Sequence, residues 1–155
     1  MTVVPKLWSE MSEKNKKSLK ETIMNHLANE VYCHLGISPV HGIGVFAVRP
    51  IPKGTNPLRS RVKHREISFT HAELKSLPRG VRKQIKMFCY YDDDEVLVST
   101  MGLNTMDFAV YLNHSKTPNI RFNKDGSCEV LRNIKTGEEL MMDYDHSFDG
   151  VHIFE

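Results

Sequence analysis

Residues 104–119 read Asn104-Thr-Met-Asp-Phe-Ala-Val-Tyr-Leu-Asn-His-Ser-Lys-Thr-Pro-Asn119. An apolar run from Phe108 to Leu112 leads directly into Asn113-His114-Ser115, and Pro118 then ends any regular structure. A hydrophobic segment that breaks off this way leaves its polar side chains at the rim of a core. There a rigid base can hold them toward a ligand.

Two other stretches share this mixture of apolar and ligand-competent residues. Upstream lies His41-Gly-Ile-Gly-Val-Phe-Ala-Val48, and downstream lies Gly137-Glu-Glu-Leu-Met-Met-Asp-Tyr-Asp145. Backbone approaches a ligand most closely at glycine, which suits Gly42 and Gly44 to a binding turn. Taken alone, the same two glycines are better explained by a hairpin turn without a ligand. The Asn113 amide offers donors and an acceptor, as a zwitterionic amino-acid group requires. It could equally satisfy His114 and nearby backbone.

The ordered trio, with Pro118-Asn119 after Asn-His-Ser, resembles the SET domain of protein lysine methyltransferases from Val31 onward. The resemblance implies a mainly β fold with short helices, a β-clip-like set of several small sheets with a C-terminal pseudo-knot. It divides the chain into an N-terminal helical extension, 1–30, and a SET domain, 31–155. A variable helical insert falls at about 66–90 and a C-terminal tail at 145–155. The implied cofactor is S-adenosyl-L-methionine, held by Gly42, Ile43, Gly44, Phe46, Asn113, His114 and Tyr144. The implied catalytic residue is Tyr144. The implied substrate channel is lined by Tyr111, Met142, Phe148 and Phe154, and the partner is a protein carrying a target lysine, with histones among the candidates. A SET-like module that has lost transfer and only binds a basic peptide is the alternative.

The chain also departs from the family pattern. Many members read Arg-Phe-Ile before Asn-His-Ser, where this chain has Val110-Tyr111-Leu112. Many then carry a zinc-ligating cysteine, where this chain has Lys116, and no cysteine cluster follows Tyr144. No metal is therefore expected, and Phe148 and Phe154 are the aromatic residues available to close the lysine channel.

Composition agrees with one ordinary domain. The 155 residues are 40% hydrophobic and 26% charged, with a net charge of +2. That balance is too small to argue for a nucleic-acid partner. The most basic window, residues 58–66, has no interleaved aromatic and reads as a loop or edge strand. No apolar run reaches membrane-spanning length, and the first charged run precedes no apolar core of a signal peptide. Cys33, Cys89 and Cys128 are dispersed and odd in number, as expected of reduced thiols in an intracellular protein. Nucleus and cytoplasm are not distinguished.

Local signals place the elements. Ser9 or Ser12 can cap a helix over 9–30, with Leu19, Ile23, Leu27 and Val31 four apart. Thr70-His-Ala-Glu73 is a capping box that opens a first short helix, and Val81, Ile85 and Phe88 share one face of a second. Short strands are expected at 31–35, 44–48 and 96–98. A hairpin is expected around Asn123-Lys-Asp-Gly126, and a final strand after Gly137.

Overall fold

A computed structural model describes residues 5–61, 65–123 and 125–147. Phe148 and Phe154, assigned above to the channel, lie outside the described residues, as do Lys63 and His64 of the basic window.

The N-terminal helical reading resolves into two helices, α1 (Pro5–Glu10) and α2 (Glu13–Asn29). The break follows from Ser12, whose side chain accepts the Asn15 N–H at 3.3 Å and starts a new helix. Leu19, Ile23 and Leu27 do share a face, but they are exposed, and α2 buries none of its residues. Arg49 ties the helix to the domain by donating to the Ala28 carbonyl and lying over the Tyr32 ring.

Among the described residues three small sheets follow. The first joins β1 (Cys33–Ile37), β2 (Ile43–Ala47), β9 (Glu139–Met142) and β6 (Asn113–His114) in the order β1-β2-β9-β6. Period-two alternation gives it two unlike faces. Cys33, Val45, Ala47, Leu140 and Met142 point into the main core, which also takes in Ile51, Leu112, Ile120, Val130 and Ile134. Gly44, Phe46, Glu139 and Asn113 occupy the other face, since Phe46 sits opposite Glu139 and Asn113 opposite Met141. The second sheet, β7 (Ile120–Phe122) with β8 (Cys128–Val130), is the expected hairpin. Its turn uses Gly126 at φ 78, a left-handed conformation suited to glycine.

The third sheet orders β3 (Glu66–Phe69), β5 (Val96–Ser99) and β4 (Tyr90–Tyr91) as β3-β5-β4. Between β3 and β4 run α3 (His71–Leu74) and α4 (Arg79–Phe88). The capping box forms as read, with Thr70 and Glu73 bonded reciprocally. Ile85 and Val96 are buried here, outside the main core cluster. Among the described residues no helix is long and apolar enough to cross a membrane.

The two-residue strand β6 pairs with β9 in parallel, through Asn113 with Met141 and His114 with Met142. So short a ladder needs support, and Asn119 gives it. Its buried amide donates to the Glu139 carbonyl at 2.7 Å and accepts the Met141 N–H at 2.8 Å, acting as an extra strand residue against β9. The Phe108–Tyr111 segment before β6 is a 3-10 turn capped by Asp107, whose side chain accepts the Ala109 N–H.

All three cysteines are free thiols. Burial pushes Cys33 and Cys128 from an ordinary 9.0 up to about 12. Both folded values are raised, so below pH 9 the thiols are protonated whether or not the chain is folded. Between pH 9 and 12 the unfolded chain releases protons that the folded chain keeps, and stability falls with rising pH. The loss is at most about 1.4 kcal/mol per pH unit for each thiol. Urea midpoints at pH 8 and pH 10.5 should drop more for the natural chain than for a Cys33→Ala/Cys128→Ala variant. Equal drops would show that the thiols are not responsible.

Candidate functional site

The site grows from the sheet face that carries Gly44, Phe46, Glu139 and Asn113. Asn113 is 8% exposed. Its Nδ2 donates to Glu139 Oε1 at 2.8 Å, to the His41 carbonyl at 3.1 Å and to the Ile43 carbonyl at 3.3 Å. The other carboxylate oxygen of Glu139 accepts from Ser38 Oγ at 3.0 Å, and Ser38 Oγ in turn accepts the N–H groups of Val40 and His41. One buried network thus fixes both ends of the turn between β1 and β2. Buried polar groups need such partners, and a complete set makes the turn rigid.

This network assigns different work to the two glycines. Gly42 has φ 53 and nothing lies within 4 Å of where its Cβ would stand, so open space borders an exposed left-handed turn. A Cβ on Gly44 would stand 2.2 Å from Glu139 Oε1, so the buried carboxylate requires glycine there. Phe46 is half-buried, with its ring 5.9 Å from that of His34 and against the Cβ position of Gly36.

Tyr144 opens the short helix α5 (Tyr144–Ser147) directly after β9. Its hydroxyl donates to the Leu112 carbonyl, and its N–H donates to His114 Nδ1 at 3.1 Å. The acceptor role of Nδ1 places the neutral ring's proton on Nε2. The two rings meet edge-on at 5.4 Å. Burial raises the Tyr144 pKa above its usual 10.0, so the hydroxyl stays protonated at neutral pH. The segment ending in Asn113-His114 and the segment ending in Tyr144 therefore converge at one point.

Around them, Asp143 Oδ1 lies 3.7 Å from His114 Nδ1 and 3.4 Å from Lys116 Nζ, and it accepts the Asp145 N–H. Lys116 also pairs with Asp145, whose hydrogen bond is the largest cause of its raised pKa. An ion pair thus bridges the loop after Asn-His-Ser to α5. Among the described residues no group of three or more His, Cys, Asp or Glu side chains converges as metal ligands.

Of the residues assigned to the channel, the two that are described, Tyr111 and Met142, face different ways. Tyr111 packs on the main core and on Phe88 at 5.8 Å, and its hydroxyl meets Met106 Sδ at 4.0 Å. Met142 is 2% exposed and sits on the core face of β9. The partners that sequence reasoning missed are Ser38, Asn119, Glu139 and the Leu112 carbonyl. Glu139 had one local signal, a carboxylate next to the apolar run Leu140-Met141-Met142.

The sequence profile of the SET domain family matches residues 42–145, well over half of the chain. The chain belongs to the SET domain family. Members of this family are, in general, protein lysine methyltransferases. Among solved structures, a Plasmodium falciparum protein provisionally named a histone methyltransferase is 20% identical in sequence. The match covers 76% of this SET chain and 96% of that one, with a TM-score of 0.46. No curated protein matches the chain.

The residues present fit S-adenosylmethionine. The turn at Gly42 offers exposed backbone beside open space, Phe46 offers a half-buried ring for an apolar base, and the Asn113 amide is bonded to the turn itself. The Leu112 carbonyl and Tyr144 hydroxyl add oxygens of the kind a sulfonium centre prefers.

Proposed function

We propose that this SET domain is an S-adenosylmethionine-dependent protein lysine N-methyltransferase. The observation that carries the reading is the convergence of Tyr144, Leu112 and the Asn113-His114 pair at the β6–β9 pairing. The cofactor would be held by the Gly42 turn, Phe46, Asn113 and His114, and when bound it supplies an activated methyl group on a positive sulfur. We also read the parallel β6–β9 pairing, clamped by Asn119, as passage of the C-terminal strand beneath the 112–119 segment, as a pseudo-knot requires.

The protein side of the chemistry is modest. A lysine reacts only as the neutral amine, although its reference pKa is about 10.4. A dry channel and a neighbouring positive charge both lower that value, so no strong base is needed. Tyr144 suits the remaining task. Its proton is committed to the Leu112 carbonyl, and its oxygen would serve as the acceptor that orients an amine N–H or holds a methyl through weak C–H···O contacts. Orientation of this kind is worth several kcal/mol on general grounds.

Calorimetry with S-adenosylmethionine, followed by transfer of a labelled methyl to a protein mixture, tests the reading. Cofactor binding with labelled lysine supports it. Cofactor binding with tight capture of basic peptides and no label would instead favour the inactive module. A lysine peptide array that includes histone tails would then define the substrate.

The extent of methylation follows from Met142, two residues before Tyr144. A hydroxyl at that place can hold a water that crowds a methylated amine, whereas a buried thioether is a weak acceptor. Tyr111 does not supply the hydroxyl, because its own is turned to Met106 Sδ. The product is expected to pass beyond monomethyl-lysine. Mass spectrometry of a good substrate, run to completion with excess cofactor, checks this, and monomethyl product alone would refute it.

A further inference from the structure

The insert carries a surface apart from the residues assigned above to methyl transfer. His71 Nε2 bonds the Asp92 carbonyl at 2.7 Å and so fixes the start of α3 against the β4–β5 turn. Beside it α4 stands against β4, and the elements enclose a groove of about 620 Å³. Its apolar floor is Leu74 and the buried Ile85.

The cations of the groove are ordered by helix geometry. Arg79, Arg82, Lys83 and Lys86 follow the spacing i, i+3, i+4, i+7, which places them in one stripe along α4. Lys75, at the end of α3, adds a fifth cation to the same groove. Among the described residues none of the five side chains makes an ion pair or hydrogen bond. Lys116, Arg121 and Arg132, by contrast, each find a carboxylate. The neighbouring carboxylates have other tasks. Glu73 serves the Thr70 cap, Asp92 accepts from Tyr90 and the turn backbone, and Glu95 accepts from Ser68. Asp93 and Asp94 stay exposed on the turn without pairing to the stripe.

Tyr91 makes this more than a positive patch. It lines the groove, is 44% exposed, and is held in place by the His71 ring at 4.7 Å. A row of unpaired cations follows a phosphate backbone, and an exposed ring beside the row offers a platform for an unstacked base. An acidic peptide would use the charges but would leave the ring idle. A duplex keeps its bases stacked and would leave it idle too. The overall charge of +2 is too small to argue for such a partner because acidic residues, those of the neighbouring 92–95 turn among them, offset this local concentration.

We propose that the groove formed by Lys75, the Arg79–Lys86 stripe and Tyr91 binds single-stranded nucleic acid, with the cations on phosphates and Tyr91 stacked on a base.

Fluorescence anisotropy of the full chain with labelled 15-mers of oligo-U and oligo-dT, a duplex of the same length and a 15-residue glutamate peptide tests this. The single strands should bind at least tenfold more tightly than the peptide and clearly more tightly than the duplex. The ratio between oligo-U and oligo-dT reads any sugar preference. The slope of log affinity against log salt should be about −3.5, from about 0.7 per phosphate over five cations. Arg82→Gln/Lys83→Gln/Lys86→Gln should weaken binding at least tenfold and bring the slope to about −1.4. Tyr91→Ala should cost about fivefold or more with the slope unchanged. Lys14→Gln/Lys17→Gln on α2, which leaves the groove intact, should change nothing. No binding at low salt, equal binding of the glutamate peptide, or indifference to Tyr91→Ala would overturn the proposal. Circular dichroism of each variant confirms that these surface changes leave the fold in place.

Discussion

Tyr144→Phe is expected to slow single-turnover methyl transfer by about a hundredfold, the scale of losing one oriented polar group from a reacting centre. Cofactor affinity should stay within about twofold, because in the proposed reaction the hydroxyl would act on the amine and methyl and not on the rest of the cofactor. The stability cost should be small. The Leu112 carbonyl loses the Tyr144 hydroxyl as a donor, and one such bond is worth about 1 kcal/mol. The ring itself, edge-on to His114, is retained. A pH–rate profile adds a second reading. Burial raises the Tyr144 pKa, so ionisation of this hydroxyl should not limit the rate near neutral pH, and any rise of rate with pH belongs to the substrate amine. Transfer at the natural rate in the variant would remove Tyr144 from catalysis. A loss of cofactor affinity equal to the loss of rate would make it a binding residue.

Features with a local cause are legible in the sequence, and those that depend on distant partners are not. The Thr70–Glu73 box, the Asp125-Gly126 hairpin and the strand at Val96 each follow from residues within one turn or one strand. The split of the first helix at Ser12 was visible as a cap but not as a second start. β6 is only two residues long, and its partner lies 28 positions away, so no periodicity announces it. Glu139 has the same problem. In sequence it resembles Glu138, yet Glu138 reaches outward to Arg132 while Glu139 turns inward to Asn113 and Ser38. Strand alternation explains the difference once the register is known, and register is set by the β2–β9 pairing. Gly44 shows the limit from the other side. Residue type alone suggests backbone beside a ligand, whereas what occupies the space of a Gly44 Cβ in the structure is a carboxylate 95 residues later.

Asn113→Ala is expected to lower both stability and cofactor affinity, because the amide holds the turn from which the cofactor would be bound. The amide nitrogen is already shared among Glu139 Oε1 and the His41 and Ile43 carbonyls. Its contribution to the proposed binding would therefore be largely to position Gly42 and its neighbours. Removing it strands a buried carboxylate oxygen and frees two carbonyls, which costs about 2–3 kcal/mol. In a chain of this size that lowers Tm by about 5–10 °C. Affinity for S-adenosylmethionine should fall about tenfold or more as the turn loses its fixed shape, since ordering it again opposes binding. Asn113→Asp separates volume from donation. Its size is nearly unchanged, but it sets a second carboxylate against Glu139 and two carbonyls, so it should be more damaging than alanine. Thermal shift with and without cofactor checks both variants. A variant that melts early yet gains the full natural shift on adding cofactor would show that the network serves the fold alone. A variant with the natural Tm and no shift would mean that the amide contacts the cofactor directly and that its hydrogen bonds to the turn contribute little.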